Sequence, residues 1–394
     1  MSDVAIVGGC GHVGLPLALV LADAGLDVVC SDIDATAVDR VNRGEMPFTE
    51  PGASELLARV RAAGSLRATT DPAVVADADT VVIVIGTPID EHLNPDLGAV
   101  QRAVEEVAAH LVDGQLLVLR STVYPGVTAM VERHIARVGL DVDVAFCPER
   151  IAEGQALREL AALPQIVAAR SDRAVERASD LFRSLTDQIV SLEPEEAELA
   201  KLFTNTWRYI KFATANQLFM MANDFGLDYE RIRDAVVFDY PRAADLPRAG
   251  FAAGPCLLKD TMQLAAFNNN NFQLGQAAVM INEGLPLYVV ARLAQQYDLA
   301  TSTVGILGMA FKPGSDDPRS SLSYKLKRIL RFRCAGVLTH DPHVSGDPDL
   351  VPLERVLAEA DLLVIATPHA EYRSLRTDLP VVDLANLHGR GVIV

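Results

Sequence analysis

Basic residues are scarce in this chain of 394 residues, which has 35 Lys and Arg against 52 Asp and Glu and a formal net charge of -17. A surface of that sign repels the phosphates of nucleic acids and of anionic lipids. We therefore expect neither a nucleic-acid partner nor a membrane partner. An anionic small ligand would need a local basic pocket.

Cysteine is also scarce, and its pattern excludes two kinds of site. The five cysteines occur at positions 10, 30, 147, 256 and 334, without any C-x-x-C spacing. An odd number without that spacing indicates neither a disulfide framework nor a zinc site. We expect reduced thiols and no metal.

Long hydrophobic runs are missing as well. No apolar stretch approaches the roughly 20 residues that span a bilayer. The opening "MSDVAIVGG" enters a strand at once and has no basic segment or apolar signal core. These absences predict a cytoplasmic protein.

The patterns that are present predict an α/β protein of several domains. Half of the residues are hydrophobic and 22% are charged, as in globular proteins. Short apolar strands alternate with helical stretches up to about residue 190, which predicts an N-terminal Rossmann domain with a parallel sheet. A helical run of about 32 residues opens the middle, and the strand-rich rhythm returns after 300 as a Rossmann-like α/β domain. We place the domains at 1–192, 193–298 and 299–394.

A dinucleotide site is predicted near the N-terminus. The "GCGHVG" stretch supplies Gly9, Gly11 and Gly14 after a strand and at the start of a helix, where backbone amides hold a pyrophosphate. Asp32 ends the second strand, where an acid bonds the ribose hydroxyls. The following "IDATA" has no Lys or Arg to receive a 2'-phosphate, so NAD is favoured over NADP.

The stretch "GFAAGPCLLKD" places Cys256 in a small-residue loop beside Lys259 and Asp260, where a cation would favour the thiolate. It resembles the catalytic-cysteine motif of the UDP-glucose/GDP-mannose dehydrogenase family, the nucleotide-sugar 6-dehydrogenases. The chain also carries, in family order, "GCGHVGLPLA", "FTEPG", "GTP", "STVYPG", "CPERIAEG", "AELAKLFTNTW" and "GMAFKPGSDDPRSS". The resemblance thus runs nearly end to end.

The resemblance implies a four-electron oxidation of the C6 hydroxymethyl of a UDP-sugar to the uronate, with two NAD. An aldehyde has no hydride to give at the acid level until a nucleophile adds to it. Cys256 would add, and the thiohemiacetal would be oxidised to a thioester that water hydrolyses. The product would serve polysaccharide or glycoside synthesis.

The resemblance also implies roles for individual residues. The catalytic set is Cys256, Lys201, Asn205, Glu149, Thr122 and Asp260. The cofactor-binding set is Gly9, Gly11, His12, Val13, Gly14, Asp32, Thr87, Pro88, Ser121, Thr122 and Arg319. The substrate-binding set is Glu149, Arg150, Ile151, Lys201, Asn205, Arg242, Phe251, Gly254, Lys259, Phe311 and Lys312.

Plainer interpretations of some of these residues stay open. Glu149 could be a surface acid beside Arg150, and Lys201 could form an ordinary helix ion pair with Glu198. Arg242 could be solvated surface, or could reach across a homodimer interface, as the family and the long central helix imply. Asp260 could be an ordinary acid at a helix N-terminus.

Substrate and reaction class also have alternatives. The cysteine loop reads "GPC" where the family commonly has "GGSC" or "GGHC", so Pro255 removes one backbone amide beside the thiol. UDP-glucose and UDP-N-acetylhexosamine both fit, with GDP-mannose as an alternative. A two-electron NAD dehydrogenase of the 3-hydroxyacid or 6-phosphogluconate type would need no thiol and no third domain. A nucleotide-sensing protein that keeps the fold without turnover is another class.

Overall fold

The protein is described by a computed structural model over residues 2–87, 97–252 and 254–389. The chain divides into two compact units, Met1–Thr204 and Asn205–Val394.

The first unit is built on a sheet of eight strands in the order β3-β2-β1-β4-β5-β6-β7-β8, parallel except where β6 meets β7. Its strands are β1 (Ser2–Val7), β2 (Val28–Ser31), β3 (Leu66–Thr69), β4 (Ala78–Ile83), β5 (Leu116–Leu119), β6 (Asp143–Phe146), β7 (Gln165–Ala168) and β8 (Ile189–Leu192). Its helices are α1 (Gly14–Asp23), α2 (Ala35–Asn42), α3 (Ala53–Ala63), α4 (Leu97–Ala108), α5 (Val127–Val138), α6 (Ala156–Ala162) and α7 (Asp172–Arg183).

Both faces of this sheet are buried, because alternate residues of each strand enter different cores. Ile6 and Val118 pack in one apolar cluster, and their strand neighbours Ala5 and Leu117 pack in the other. Short, almost wholly apolar strands are typical of a parallel sheet covered by helices on both faces. The carboxyl ends of β1, β2, β4 and β5 then gather their loops at one edge of the sheet, where ligands of such folds bind.

The second unit has a four-stranded parallel sheet in the order β10-β9-β11-β12. Its strands are β9 (Thr303–Leu307), β10 (Gly336–His340), β11 (Leu362–Ile365) and β12 (Val381–Asp383). Its helices are α9 (Tyr229–Val237), α10 (Leu257–Phe267), α11 (Gln273–Gln296), α12 (Leu322–Arg331) and α13 (Leu353–Glu359). One apolar cluster joins Val289 of α11 to Ile306 and Val364 of the sheet.

The long helix predicted for the middle of the chain is α8, Pro194–Asp224, with 31 residues. Glu195 and Glu196 lie in its first turn, where acidic side chains interact well with the helix dipole. The chain leaves the helix at Gly226, whose φ of +68° suits glycine.

The predicted α/β class and the long helix are confirmed, and the differences are local. The "NNNN" sequence at 268–271 predicts a turn, and a turn forms there with Asn269 and Asn270 at positive φ. Strands β3, β7 and β8 were not predicted from the sequence, because each has four residues and weak apolar patterning. The sequence "GVIV" at 391–394 also predicts a strand, and it lies outside the described residues. The three domain boundaries stay a prediction.

One helix among the described residues is long and apolar enough to cross a membrane by length and composition, namely α11. Its length differs from the expectation that no apolar stretch approaches the length of a membrane span. The helix packs Leu285, Val289 and Leu293 into the core of the second unit. Its Asn282 is fully buried and exchanges hydrogen bonds with Asn216 and the carbonyl of Tyr209. These contacts are those of a core helix.

Candidate active site

The predicted glycine loop lies between β1 and α1, and its glycines are needed for different reasons. A Cβ at Gly9 would lie 2.7 Å from the carbonyl oxygen of Ile6, and one at Gly14 would lie 2.4 Å from that of Gly8. A Cβ at Gly11 would meet nothing nearer than 3.9 Å, so this backbone is open to a ligand. The loop therefore fits a pyrophosphate at the start of α1, which begins at Gly14 directly after Val13.

Gly8 is a further member of this loop that the motif did not single out. Its φ is +76°, and a Cβ there would lie 1.9 Å from the carbonyl oxygen of Val84. The double glycine in "GGCG" was the available signal.

Asp32 lies one residue beyond β2 and is half-buried. Its carboxylate accepts hydrogen bonds from the backbone N–H of Cys10 at 2.9 Å and of Asp34 at 3.0 Å. One acid thus joins the end of β2 to the glycine loop, in the position where ribose hydroxyls are bound in such folds.

His12 stacks on Phe48 of the "FTEPG" stretch, with ring centroids 4.0 Å apart. Glu50 of the same stretch is buried and accepts hydrogen bonds from the N–H groups of Gly154 and Ala156 at 2.7 and 2.8 Å. The "FTEPG" segment therefore contacts the glycine loop and fixes the loop that ends in "IAEG".

Glu149 is buried, and its ion-pair partner is Arg120, so the interpretation as a surface acid beside Arg150 is wrong. Its other carboxylate oxygen accepts from the backbone N–H groups of Arg150 at 2.6 Å and Ile151 at 2.9 Å. The guanidinium of Arg150 turns away and donates to the carbonyl of Pro164.

Arg120 is the chief residue that the sequence analysis missed here. It is 1% exposed and also donates to the carbonyl of Cys147 at 3.1 Å and to the side chain of Gln165 at 3.3 Å. Its guanidinium lies 4.7 Å from the ring centroid of Phe182. An arginine that directly follows the apolar strand "LLVL" was the available signal.

Three predicted cofactor residues lie at the carboxyl ends of β4 and β5. Ser121 is buried, and its hydroxyl accepts from the N–H of Ile85 at 2.7 Å, while Thr122 beside it is half-buried. Thr87 is buried in the loop after β4. Pro88 lies outside the described residues.

Glu198 of α8, which lies one turn before Lys201, is hydrogen-bonded to the segment that opens α5. Its fully buried carboxylate accepts from the N–H groups of Gly126 at 2.6 Å and Thr128 at 2.8 Å, and from the Thr128 hydroxyl at 2.6 Å. It thereby anchors the start of α5. Lys201, one turn later, is buried on the same helix.

Asn205 and Asp260 are two predicted residues that form a buried polar pair. Asn205 Nδ2 donates to Asp260 Oδ2 at 2.6 Å, and the Asp260 side chain is fully buried. Lys259 Nζ lies 3.4 Å from the other carboxylate oxygen, which is an ion-pair distance without hydrogen-bond geometry. Asp260 is therefore more than a solvated acid at a helix start.

Cys256 is the N-cap residue of α10 and is exposed. The start of a helix is one of the environments that favour the thiolate form of cysteine. Asp260 lies one turn further along α10, so its backbone N–H donates to the carbonyl of Cys256 at 2.9 Å. An exposed thiol at a helix start with buried polar groups one turn away is suited to nucleophilic chemistry.

The other four cysteines differ from Cys256 in this respect. All five lie within the described residues, and none forms a disulfide. Cys10, Cys30 and Cys147 are buried, and burial raises the pKa of Cys147 to about 12. Burial also raises the pKa of Cys334. Cys256 is therefore the one exposed thiol.

A cavity of about 490 Å³ in the second unit gathers several predicted substrate residues, Phe251, Phe311 and Lys312 among them. Arg208 and Arg248 also line it, and sequence analysis did not single them out. The remaining lining residues are Phe212, Ala249, Gly250, Ala252, Leu257, Pro313, Ala366, Thr367, Pro368 and Ala385. An apolar wall with three cations suits an aromatic base joined to phosphates.

The cysteine loop packs against this cavity through Gly254. Its φ is +109°, and a Cβ there would lie 2.7 Å from the Phe311 ring. Lys312 Nζ lies 5.4 Å from the centroid of the same ring. Glycine at 254 thus lets the ring of Phe311 approach the backbone two residues before Cys256.

Two predicted arginines are engaged elsewhere in the structure. The Arg319 guanidinium, 57% exposed, donates to Asp317 at 2.6 Å. Arg242 is exposed and donates to the hydroxyl of Tyr240 at 3.4 Å. Their roles toward cofactor and substrate stay predictions.

Three family models match the chain in succession. Residues 2–186 match the NAD binding domain of the UDP-glucose/GDP-mannose dehydrogenase family, 195–284 match its central domain, and 305–390 match its UDP binding domain.

Individual proteins are similar over nearly the whole chain. The UDP-N-acetyl-D-mannosamine dehydrogenase of Pyrococcus horikoshii is 33% identical, over 93% of this chain and 90% of that protein. A UDP-glucose 6-dehydrogenase of Haloferax volcanii is also 33% identical, over 95% and 93%. The solved structure of a UDP-glucose dehydrogenase from Pyrobaculum islandicum superposes with a TM-score of 0.91 at 30% identity, covering 100% of this chain and 96% of the other.

The matched ranges cover most of the chain and contain the glycine loop, the buried acids and the exposed thiol. The glycine loop and Asp32 fit the NAD that the first model implies. The chain therefore belongs to the UDP-glucose/GDP-mannose dehydrogenase family and is an NAD-dependent nucleotide-sugar dehydrogenase.

Proposed function

We propose that this chain oxidises the C6 hydroxymethyl group of a UDP-sugar, either UDP-glucose or a UDP-N-acetylhexosamine, to the carboxylate by way of Cys256. The observation that carries the proposal is the position of this thiol, exposed at the start of α10, with the buried Asn205–Asp260 pair one turn away.

The second oxidation requires a nucleophile that adds to the aldehyde, and the Cys256 thiol can supply it. The hydroxymethyl loses a hydride and a proton to give an aldehyde, and NAD, when bound, accepts hydride. The Cys256 thiolate adds to the aldehyde carbon to form a thiohemiacetal, which has a hydride to lose. The thioester that remains is cleaved by water, which releases the uronate and the thiol.

The buried polar residues supply proton transfer and charge stabilisation. Lys201 and Asn205 lie four residues apart on α8, so they share a face and can hold negative charge that develops on the substrate oxygen. Asp260 orients Asn205 and lies beside Lys259. Glu149, held by Arg120 and two backbone N–H groups, directs the attacking water together with Thr122.

The cavity in the second unit is the proposed site for the UDP moiety. Phe212, Phe251 and Phe311 offer rings for a base, and Arg208, Arg248 and Lys312 offer cations for the diphosphate. Such local cations are required because the chain as a whole has a net charge of -17, which repels a diphosphate. The UDP binding domain match and the two relatives named for UDP-sugars favour UDP over GDP.

We propose that the protein is a homodimer built on the central helices and that it works in the cytoplasm. Its product would be a nucleotide-linked uronic acid for polysaccharide synthesis. Large apolar side chains on α8 and directly after it support a partner copy, because Trp207 and Met221 of α8 and Phe225 beyond its end are 57%, 54% and 82% exposed. Arg242, exposed in the loop before the cysteine segment, would reach the partner's site.

The test mixes the purified chain with NAD and, in parallel, UDP-glucose, UDP-N-acetylglucosamine, UDP-N-acetylmannosamine, UDP-galactose and GDP-mannose. NADH is followed at 340 nm, and the product is weighed by mass spectrometry. The proposal expects two NADH per sugar and a product that has gained one oxygen and lost two hydrogens, with one of the UDP-sugars. Turnover of GDP-mannose alone, or one NADH per product, would replace it with the corresponding alternative reaction.

A further inference from the structure

The loop 308–315 carries Phe311 and Lys312 to the cavity and follows β9 directly. Its two glycines, Gly308 and Gly314, have φ of +92° and +69°, so the chain turns sharply at both ends of the segment. A loop of this kind keeps one shape only if its backbone polar groups find fixed partners.

One carboxylate holds the beginning of this loop. The N–H groups of Met309 and Ala310 both donate to Asp341 Oδ2, at 2.6 and 2.9 Å. The carbonyl of Ala310 accepts from the hydroxyl of Thr367 at 2.7 Å. Asp341 is a buried acid two positions after Thr339 in "THDPH", beyond the end of β10.

One histidine holds the end of the loop. The N–H of Gly314 donates to His369 Nδ1 at 3.2 Å, and His369 Nε2 lies 3.0 Å from Asp341 Oδ2. The His369 side chain is fully buried. In sequence, His369 directly follows Thr367 and Pro368, which line the cavity. Asp341 and His369 together therefore join the two ends of the loop.

The two contacts define the tautomer of His369. An Nδ1 that accepts a hydrogen bond from Gly314 carries no proton, so the ring is neutral and its proton is on Nε2, where it donates to Asp341. Protonation of the ring would place a second N–H against the N–H of Gly314, and that hydrogen bond would be lost.

We propose that His369 is a positioning residue for the nucleotide-sugar pocket: its neutral ring joins Gly314 to Asp341 and thereby holds Phe311 and Lys312 at the cavity. The inference rests on the proposed function, because the loop matters only if the cavity binds a nucleotide sugar.

A metal site at this position is the competing explanation. Among the described residues, His343, His369 and Glu371 offer ligand atoms within 4.8 Å of one another. Both ring nitrogens of His369 are already engaged, with Gly314 and Asp341, so a metal would have to break one of these hydrogen bonds. The geometry favours the positioning role.

Other titratable groups surround His369. The His343 ring lies 4.8 Å away and the Tyr372 ring 5.8 Å away, centroid to centroid. The remaining groups are Asp341 against Nε2, Glu371 paired with His343, and His340 bonded to the Tyr372 hydroxyl.

Three substitutions separate the two hydrogen bonds. His369→Asn can place an oxygen where Nδ1 accepts from Gly314, and His369→Gln can place an N–H where Nε2 donates to Asp341. His369→Leu removes both. The control is His343→Gln, because the neighbouring ring is half-buried and pairs with Glu371 rather than with the loop.

The measurements are KM and kcat for the sugar, KM for NAD, thermal unfolding, and calorimetric binding of UDP-glucose and UDP-N-acetylglucosamine. We expect KM for the sugar to rise about 5-fold in His369→Gln and more in His369→Leu, as for lost hydrogen bonds. KM should change less than about 3-fold in His369→Asn, with kcat and KM for NAD near wild type throughout. Variants that lose thermal stability but keep the wild-type KM and binding would show a merely structural role and overturn the inference.

Calorimetric binding also separates failure of the inference from failure of the proposed function. If the wild type binds neither sugar nucleotide, the proposed function itself fails; if the wild type and all His369 variants bind equally well, only the inference fails.

Discussion

Asn205 of α8 donates a hydrogen bond of 2.6 Å to the buried carboxylate of Asp260, which lies one turn beyond the exposed thiol of Cys256 on α10. This pair ties the long central helix to the helix that begins at the proposed nucleophile. In the proposed reaction, Asn205 holds charge on the substrate oxygen and Asp260 orients Asn205.

Asp260→Asn tests this relationship with little change in shape. The variant keeps a hydrogen-bonding side chain but removes the negative charge beside Lys259, so charge stabilisation in the transition state is disturbed. We expect kcat to fall about 100-fold or more, with UDP-sugar binding within about 3-fold of wild type. Initial rates at 340 nm and calorimetry measure the two quantities.

The control for that variant is Asp245→Asn, since Asp245 is 66% exposed and pairs with Lys211 at the surface. It should keep wild-type kcat. A kcat for Asp260→Asn within about 5-fold of wild type would show that the pair is not part of the catalytic machinery.

Arg120→Met tests the buried ion pair with Glu149. Removing one partner of a buried pair leaves an uncompensated charge, so we expect the free energy of unfolding to fall by about 3 kcal/mol or more. Denaturant unfolding measures the change. Arg59→Met, in a pair with Asp23 whose side chains are 62% and 43% exposed, should change it by less than about 1 kcal/mol.

One result would contradict the importance of the Arg120–Glu149 pair. If the free energy of unfolding changes little, and equally, in Arg120→Met and Arg59→Met, then Glu149 does not need Arg120 as a partner. In that case the two backbone N–H groups of Arg150 and Ile151 would be sufficient to hold the carboxylate.

Gly254→Ala tests the approach of the cysteine loop to Phe311. The new Cβ would lie 2.7 Å from the ring at a φ of +109°, so either the ring or the loop must move. We expect KM for the UDP-sugar to rise about 10-fold, together with a lower kcat, because ring and thiol both shift. Steady-state kinetics measures both constants.

Gly284→Ala in α11 is the matched control, because nothing lies within 4 Å of its Cβ position and the residue is helical. It should leave the kinetics unchanged and raise stability by about 0.5 to 1 kcal/mol. If Gly254→Ala matches this control in KM and kcat, the Phe311 contact has no part in substrate binding.

The pH dependence of stability is expected from His340. Burial lowers the pKa of His340, against a contrary effect of the Asp341 charge. The ordinary pKa of histidine is about 6.5, so the unfolded state binds more protons than the folded state at pH values between the lowered pKa and 6.5. Stability therefore rises with pH through this window and is lost as pH falls through it.

Urea unfolding of the wild type from pH 7 to pH 5 measures this effect. His340→Asn, whose side-chain amide can take the place of Nδ1 toward the Tyr372 hydroxyl, should flatten the slope in this range. A wild-type unfolding free energy that stays constant or increases toward pH 5 would contradict the assignment.

Much of the fold and part of the site could be predicted from the sequence because the signals were local. The glycine loop, Asp32 and the 31-residue helix each follow from a contiguous pattern. The order of the sheet strands and the partners of the buried acids depend on residues far apart in the chain. Arg120 and Glu149, 29 positions apart, could be paired only in three dimensions.

Other contacts could not be predicted for the same reason. The Glu198 carboxylate binds the N–H groups of Gly126 and Thr128, about 70 residues away. Arg208 and Arg248 join the cavity through folding of the second unit, and neither stands in a recognisable motif.

The role of Cys256 is tested most directly by the number of NADH formed per UDP-sugar consumed, measured for the wild type and for Cys256→Ser, with Cys334→Ser as the control thiol. We expect two NADH per sugar for the wild type and for Cys334→Ser, and at most one for Cys256→Ser, because without the thiolate no thiohemiacetal forms. Two NADH per sugar at an undiminished rate in Cys256→Ser would contradict the role of Cys256.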